Sequence, residues 1–303
     1  MAPLQSCRAP HRLGEALPER LERSLQELRG WLAAHPRLVV AYSGGVDSAL
    51  VAALAAEQLG DRALAVTGVS PALAPHLREE ARLQARWMGL RHREIPTAEL
   101  DDPAYSANPD DRCYACKREL HGLLAPLAAV LSMEQPETAA VAVALVVDGV
   151  NLDDLGDHRP GIRAARERGV RSPLAECGLD KQAVRQISRA LGFPWWDKPA
   201  QPCLASRFPY GENINAPRLR RVAAAEDWLR GQGIAELRVR SQGETARIEV
   251  PHQQLNGLLE RLGEPGGWRE DLVEAFAGLG FSAVSLDLEG LVSGKLNRDR
   301  SGL

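Results

Sequence analysis

Residues 41–50 read AYSGGVDSAL. They follow RLVVAYS (37–43), an apolar run with the length and continuity of a buried strand, and lead into DSALVAALAAEQLG (47–60), a helical pattern closed by Gly60. Between strand and helix stand Ser43, Gly44, Gly45, Val46, Asp47 and Ser48. Glycine permits a tight turn and close backbone approach. A helix N-terminus offers unpaired N–H groups and the positive end of the helix dipole. Together these make a cradle for a phosphate chain. Ser43 and Ser48 can add hydroxyl donors, and Asp47 can cap the helix or help hold magnesium. The same spacing also describes a plain strand–helix turn made tight by glycine. Two familiar phosphate loops are excluded: no lysine follows the glycines as in G-x-x-x-x-G-K-S/T, and G-x-G-x-x-G is absent.

Outward from this loop, LPERLERSLQELRGWLAA (17–34) spaces leucines at 17, 21, 25, 28 and 32 as one face of a helix. RALAVTGVS reads as a second strand, HLREEARLQARWMGL as a helix, RHREIPT as a short third strand and AAVAVALVVDGVN (139–151) as a fourth. Apolar strands alternating with helices predict a parallel sheet covered on both faces, an α/β domain. After residue 212 the pattern changes. APRLRRVAAAEDWLRGQG and QQLNGLLERLG read as helices, ELRVRS and ARIEV flank a hairpin turn at QGET, and FSAVSLDLEG reads as a strand. Pro209, Gly211 and Pro217 interrupt regular structure near 211–215. The expected organisation is a tail over 1–16, an α/β domain over 17–211 and a smaller α+β domain over 212–303.

The 303 residues suffice for two domains. The net charge is −3, from 37 basic and 40 acidic residues, which lacks the basic excess of a protein that grips long nucleic acid. No run of 18 apolar residues occurs and the N-terminus has no apolar signal core, so the expectation is a cytoplasmic protein without membrane or stable nucleic-acid partners.

Five cysteines are too sparse for a disulfide scaffold. Cys113 and Cys116 stand in DRCYACK, a C-x-x-C pair able to bite one metal or one cluster edge. Two neighbours on a helix turn, or a redox dithiol, read the same way. Cys203 stands in KPAQPCLASRFPYG, with Lys198 and Arg207 close enough in sequence to favour a thiolate. A third thiolate from Cys203 would suit a 4Fe-4S cluster with one iron open, whereas structural zinc normally takes four protein ligands. Cys7 and Cys177 carry no motif.

S-G-G-V-D-S after a strand resembles the pyrophosphate loop of the N-type ATP pyrophosphatases, the PP-loop superfamily of NAD synthetase, GMP synthetase and tRNA-thiolating enzymes. The resemblance covers about residues 37–200. It implies that Ser43, Gly44, Gly45, Val46, Asp47 and Ser48 hold the pyrophosphate of ATP, with Thr67 beside the adenosine. AVTGVSPAL, VVDGVNLDDLGDHRPG, GVRSPLAECGLDKQAVR, LGFPWWDKPAQPCLASRFPYGE, LRVRSQGETARIEV and LDLEGLVSGKLN, taken together, resemble the LarE family over about residues 17–297.

That resemblance implies a PP-loop α/β domain followed by a smaller α/β domain, and a small nucleotide substrate, pyridinium-3,5-dicarboxylate mononucleotide. Magnesium–ATP adenylates a carboxylate, and a sulfur nucleophile then displaces AMP to give a thiocarboxylate for the nickel-pincer nucleotide. The family has two sulfur sources: a sacrificial cysteine at the position of Cys203, or a 4Fe-4S cluster on three cysteines. Cys113, Cys116 and Cys203 match the cluster type; the sulfur donor is not specified. Arg238 and Arg240, alternate residues of one strand, share a face and can fork onto a substrate phosphate, or belong to an ordinary charged face. Ser206 and Arg207 are further candidates for that site. Asn151, Asp153 and Asp154 can bind magnesium or substrate or form a solvated loop, and Asp157, His158 and Arg159 can serve a subunit contact or the site. The family also implies a homo-oligomer. Leu291 and Val292 depart from its pattern, which has an aromatic and a basic residue there. The alternatives are a tRNA thiolase, an amide-forming synthetase that needs no Cys203, and a non-catalytic nucleotide or iron–sulfur carrier.

Overall fold

The computed structural model of the chain describes residues 14–133, 144–156, 160–292 and 294–295. The expectations for Cys7, for Asp157, His158 and Arg159, and for the start of the fourth strand at 139–143 fall outside these residues. Two compact units divide the chain, Met1–Glu99 with Asp111–Gln201, and Leu100–Asp110 with Pro202–Leu303. The sequence pattern places the change at 211. The second unit instead takes up the chain at Pro202, ahead of Cys203, and also holds Leu100–Asp110.

In chain order the elements are α1 (Glu19–Ala33), β1 (Leu38–Ala41), α2 (Val46–Leu59), β2 (Ala63–Val69), α3 (Pro75–Trp87), β3 (His92–Pro96), the single turn α4 (Pro103–Ser106) of the second unit, and α5 (Arg112–Met133). Then come β4 (Leu145–Val147), α6 (Pro160–Glu167), the single turn α7 (Pro173–Glu176) and α8 (Lys181–Ala190), followed in the second unit by α9 (Ala216–Gly231), β5 (Arg238–Gln242), β6 (Thr245–Glu249), α10 (Leu255–Gly263), α11 (Trp268–Gly278) and β7 (Ala283–Leu286).

The first unit is a parallel sheet in the order β3-β2-β1-β4. All four residues of β1 are buried because both faces of the sheet are covered, which is why its sequence runs apolar without alternation. Leu38 and Val40 join one core with α1, α2, α3 and α8; Val39 and Ala41 join the other with Leu124 and Ala128 of α5 and Ala165 of α6. Helix α2 is buried along most of its length, and Leu50 and Leu54 each contribute about 1.5–3 kcal/mol by leaving water. The parallel order brings the carboxyl ends of β1 and β4 side by side, where ligands bind in open α/β sheets.

The second unit has the order β5-β6-β7, with an antiparallel β5–β6 hairpin turning at Gly243 (φ +54°) and β7 parallel to β6. The hairpin, α9, α10 and β7 match the sequence reading; α11, after the glycine-rich segment Gly263–Gly267, has no counterpart in it. Among the described residues no helix is long and apolar enough to cross a membrane.

Among the described glycines of the first unit, the closest approach follows β4. A Cβ on Gly149 would stand 2.6 Å from the amide nitrogen and 2.9 Å from the Cα of Ser48, so the chain after β4 crosses the first turn of α2 with no spare room. Alanine for glycine ordinarily stabilises a chain where the backbone tolerates it. Gly149→Ala should instead cost about 1–3 kcal/mol through overpacking, read as a lower midpoint in thermal unfolding. An unchanged or raised midpoint would show that this contact yields freely.

Candidate active site

The loop at 43–48 is closed by its own hydroxyls. Ser48 Oγ accepts from the Ser43 amide (3.2 Å) and donates to the Gly45 carbonyl (3.2 Å); Ser43 Oγ lies 3.1 Å from Ser48 Oγ and accepts from the Gly45 amide (3.3 Å). Gly44 has φ +73°, and a Cβ there would stand 2.9 Å from the Cβ of Ala81, so glycine answers both a conformational and a packing demand. The N-cap of α2 is Gly45, which supplies no side-chain cap. The first-turn amides are thus left without a side-chain cap at the positive end of a well-buried helix, a donor set suited to an anionic phosphate chain.

Asp47 lies inside the first turn, so it is not the cap. Its carboxylate accepts from Asn151 Nδ2 (3.1 Å) and is paired with Lys181 Nζ. The Lys181 amide donates to Asp153, the Asn151 amide to Asp154 Oδ2 (3.1 Å), and Asn151 Oδ1 accepts from the amides of Asp153 and Asp154. Thus Asn151, Asp153 and Asp154 form a hydrogen-bonded turn that holds Lys181 against the loop. Sequence reasoning missed Lys181. It heads a helix 134 residues from Asp47, and only the fold brings them together.

Thr67, expected beside the adenosine, is buried at the end of the sheet; its hydroxyl donates to the Tyr42 carbonyl (2.8 Å), the last peptide before the loop. Lys198, expected near Cys203, pairs with Glu80 in the first unit.

Cys113 and Cys116 lie in the first turn of α5, one exposed and the other half-buried. They are one helical turn apart and so share a face. Two thiolates in this arrangement fit one edge of a metal cluster; among the described residues no group of three or more His, Cys, Asp or Glu side chains forms a metal site. Cys203, the third thiolate expected from the sequence, belongs to the second unit. Cys177 is half-buried against the core, and burial, with Glu27 and Glu176 adding to it, pushes its thiol up to about 11, which makes it inert.

In the second unit, Cys203 begins the short turn Leu204–Arg207. Ser206 Oγ donates to the Cys203 carbonyl (2.8 Å), and Arg207 Nη1 donates to the carbonyl of Pro202 (2.7 Å). The other edge of Arg207 is buried against Glu226, and Arg240 is buried against Glu249 while donating to the Ser206 carbonyl (2.6 Å). Arg207, Arg240 and Ser206 therefore position the Cys203 turn. Arg238, half-buried on the same strand face as Arg240 and paired in register with Glu249, forms no ion pair among the described residues; burial lowers its pKa, the charges of Arg207 and Arg240 lower it further, and Glu249 and Glu226 work in the opposite sense. Behind the turn, Asn108 adopts φ +54°, and its side chain donates to the Pro209 carbonyl (2.6 Å) while its own carbonyl accepts from the Gly211 amide (2.9 Å). No sequence signal marked Asn108 or Glu226 for these roles.

No family model matches the chain. It is 51% identical over 280 residues to an uncharacterised protein of Synechocystis sp., covering 92% of this chain and 98% of that one. It is 33% identical over 262 residues to pyridinium-3,5-bisthiocarboxylic acid mononucleotide synthase of Lactiplantibacillus plantarum, covering 86% of this chain and 89% of that one. A shorter match, 28% over 184 residues and 57% and 56% of the two chains, is to a chain of the glutamine-hydrolysing GMP synthase of Methanosphaerula palustris.

Glu226 is fully buried and accepts from Arg207, Arg230 and the Val239 amide. Burial raises its pKa, but Arg207, these hydrogen bonds and Arg230 leave it lowered on balance. Its stabilising contribution is therefore present above the ordinary glutamate pKa of about 4.3 and lost as pH falls through the lower folded value. Glu226→Gln should cost about 3–5 kcal/mol at pH 7 by stranding Arg207, and should remove part of the acid-induced loss below pH about 4.3. Urea midpoints at pH 7 and pH 3 measure both.

Proposed function

We infer the activity from the premise that this chain belongs to the family of the pyridinium-3,5-bisthiocarboxylic acid mononucleotide synthases, the LarE family of the PP-loop superfamily. It is an ATP-using enzyme that transfers sulfur to the carboxylates of a pyridinium mononucleotide. A carboxylate is a poor electrophile because oxide is a poor leaving group. Its oxygen attacks the α-phosphorus of ATP, the bond to the β-phosphate oxygen breaks, and pyrophosphate leaves. In the resulting acyl adenylate a sulfur nucleophile forms the carbon–sulfur bond while the carbon–oxygen bond to AMP breaks. The protein supplies positioning and charge stabilisation: the amides of the 43–48 loop and Lys181 receive the pyrophosphate, and Thr67 fixes the entry to that loop on the adenosine side.

What carries the sulfur-transfer reading is the charge surplus around the Cys203 turn. Arg207 and Arg240 each have a buried carboxylate, Glu226 and Glu249, and Arg238 has none among the described residues. A half-buried guanidinium that shares Glu249 and Glu226 with two other arginines and has no ion pair of its own among the described residues is suited to an anionic substrate, and Arg238 receives the substrate phosphate. Of the two-arginine fork expected from the sequence, Arg238 is the open half and Arg240 the half that sets Ser206. Cys113, Cys116 and Cys203 are the residues that would hold a 4Fe-4S cluster, and the chemistry it would supply when bound is a sulfide nucleophile. The second reading, favoured by the position of Cys203 at the head of its own turn, is sacrificial: the Cys203 thiolate takes the acyl group, and loss of its Cα proton expels the thiocarboxylate and leaves dehydroalanine.

Cys203→Ser should abolish thiocarboxylate formation; wild-type rates of thioacid would overturn the proposal. Anaerobically reconstituted protein should bind iron, and Cys113→Ala with Cys116→Ala should lose it. If iron binding and multiple turnover survive that double substitution, the cluster is excluded. Intact mass after one turnover identifies the sacrificial route by the loss of the elements of one hydrogen sulfide. Arg238→Ala should raise KM for the mononucleotide about tenfold or more, the value of a charge-assisted contact, with the KM for ATP unchanged.

A further inference from the structure

We propose that His92 is a positioning residue for the phosphate loop: its Nε2–H, acting through the Thr67 hydroxyl, holds the Tyr42 carbonyl and so sets the first peptide of the 43–48 turn. The inference rests on the proposed reading of that turn as the ATP cradle.

The backbone ladder between β1 and β2 continues one step past Ala41, with the Tyr42 amide donating to the Val66 carbonyl (2.8 Å). At the next step the Tyr42 carbonyl meets a side chain, the Thr67 hydroxyl at 2.8 Å. The same hydroxyl oxygen lies 2.9 Å from Nε2 of His92. Across the β2–β3 ladder His92 pairs with Ala65, two residues before Thr67 on the same strand face. The small Ala65 side chain leaves room for the imidazole to lean toward Thr67. The Tyr42 ring packs edge-on against it, with centroids 5.5 Å apart and planes at 84°.

Proton counting fixes the direction of this chain. A threonine hydroxyl has one proton and two lone pairs, and a carbonyl oxygen can only accept. The Thr67 proton therefore goes to Tyr42, and His92 donates Nε2–H to a lone pair of Thr67. The reverse arrangement would turn the proton toward the imidazole and set lone pairs of two oxygens 2.8 Å apart at Tyr42. Burial lowers the pKa of His92, Glu94 works in the opposite sense and Arg82 adds to the lowering, so the ring is neutral at pH 7 with Nδ1 bare. On its other side the same tyrosine is fixed by its own hydroxyl, 3.1 Å from both the Ala81 carbonyl and Gln84 Oε1. Those residues lie on α3, whose Ala81 backs Gly44. The loop entry is thus pinned on two sides, by α3 through the Tyr42 side chain and by β3 through its carbonyl.

The test uses the full chain with His92→Gln, His92→Asn, His92→Glu and Thr67→Val. Glutamine carries an N–H at the reach of imidazole Nε2, asparagine at the shorter reach of Nδ1, and glutamate offers only acceptors. In the ligand-free protein, deuterium exchange at the amides of 43–46 should be near wild type for His92→Gln and faster for the other three. The Kd and KM for magnesium–ATP should rise about fivefold in those three, the value of one net hydrogen bond, with kcat at saturating ATP unchanged in His92→Asn and His92→Glu. His92→Asn combined with Thr67→Val should be no worse than Thr67→Val alone. The inference is overturned if His92→Gln is as impaired as His92→Glu, or if all four variants match wild type in exchange. A wild-type protein that binds no magnesium–ATP would instead overturn the reading of the loop, while the exchange pattern would still decide the relay.

Discussion

The amides at the N-terminus of α2 have no side-chain cap, and a helix end can receive a ligand only where the chain's own side chains stay out of the way. The features of the first unit answer this requirement. Gly45 as N-cap withholds a side chain from the amides. Gly44, at positive φ, turns the chain away without striking Ala81. Ser43 and Ser48 close the loop from behind, and Gly149 lets the strand end beside it pass at van der Waals limits. An anion-binding helix end is a site of stored electrostatic potential, and the buried length of α2 gives it a rigid base.

Asp47 is the one negative charge of that first turn. Left alone it would repel an incoming phosphate chain. Lys181 neutralises it, and Asn151 fixes its second oxygen. The turn formed by Asn151, Asp153 and Asp154 thereby sets Lys181 against the loop. The second unit uses the same device with larger groups. Arg207 and Arg240 are each neutralised by a fully buried glutamate and then directed at the carbonyls of the Cys203 turn, and Arg238 is left to present net positive charge. Burying these pairs is tolerable because each guanidinium meets its carboxylate at hydrogen-bond distance and spends its remaining donors on carbonyls; an unmatched buried charge would cost several kcal/mol.

Much of the fold was legible in linear order. The apolar run at 38–41 and the helical spacing at 25, 28 and 32 identify elements because burial on both sheet faces, or on one helix face, imposes a period on the sequence. The hairpin at 242–245 was legible because a two-residue turn needs glycine. Helix α11 and the division at Pro202 were not, since neither depends on a local pattern: a glycine-rich lead-in looks like a loop, and a boundary is defined by where packing stops. The loop at 43–48 could be proposed as a phosphate site from the sequence because the chemistry of such a site is backbone chemistry, and glycine is its visible trace.

The sequence by itself determined that a tight, glycine-built turn joins a buried strand to a buried helix, that a parallel α/β unit precedes a smaller mixed one, and that three cysteines and a pair of alternate arginines stand available for chemistry. Only the tertiary structure decided which charges remain open. Arg238 and Arg240 are indistinguishable as letters, yet among the described residues Arg240 forms the ion pair with Glu249, and Arg238, the cross-strand neighbour of Glu249, does not. Neither Lys181 nor His92 was a candidate in the sequence reading, yet they lie against Asp47 and Thr67. The physical reason is that the field at a site is a sum over neighbours distant in sequence, and burial, which sets the strength of each interaction, exists only once the chain has folded.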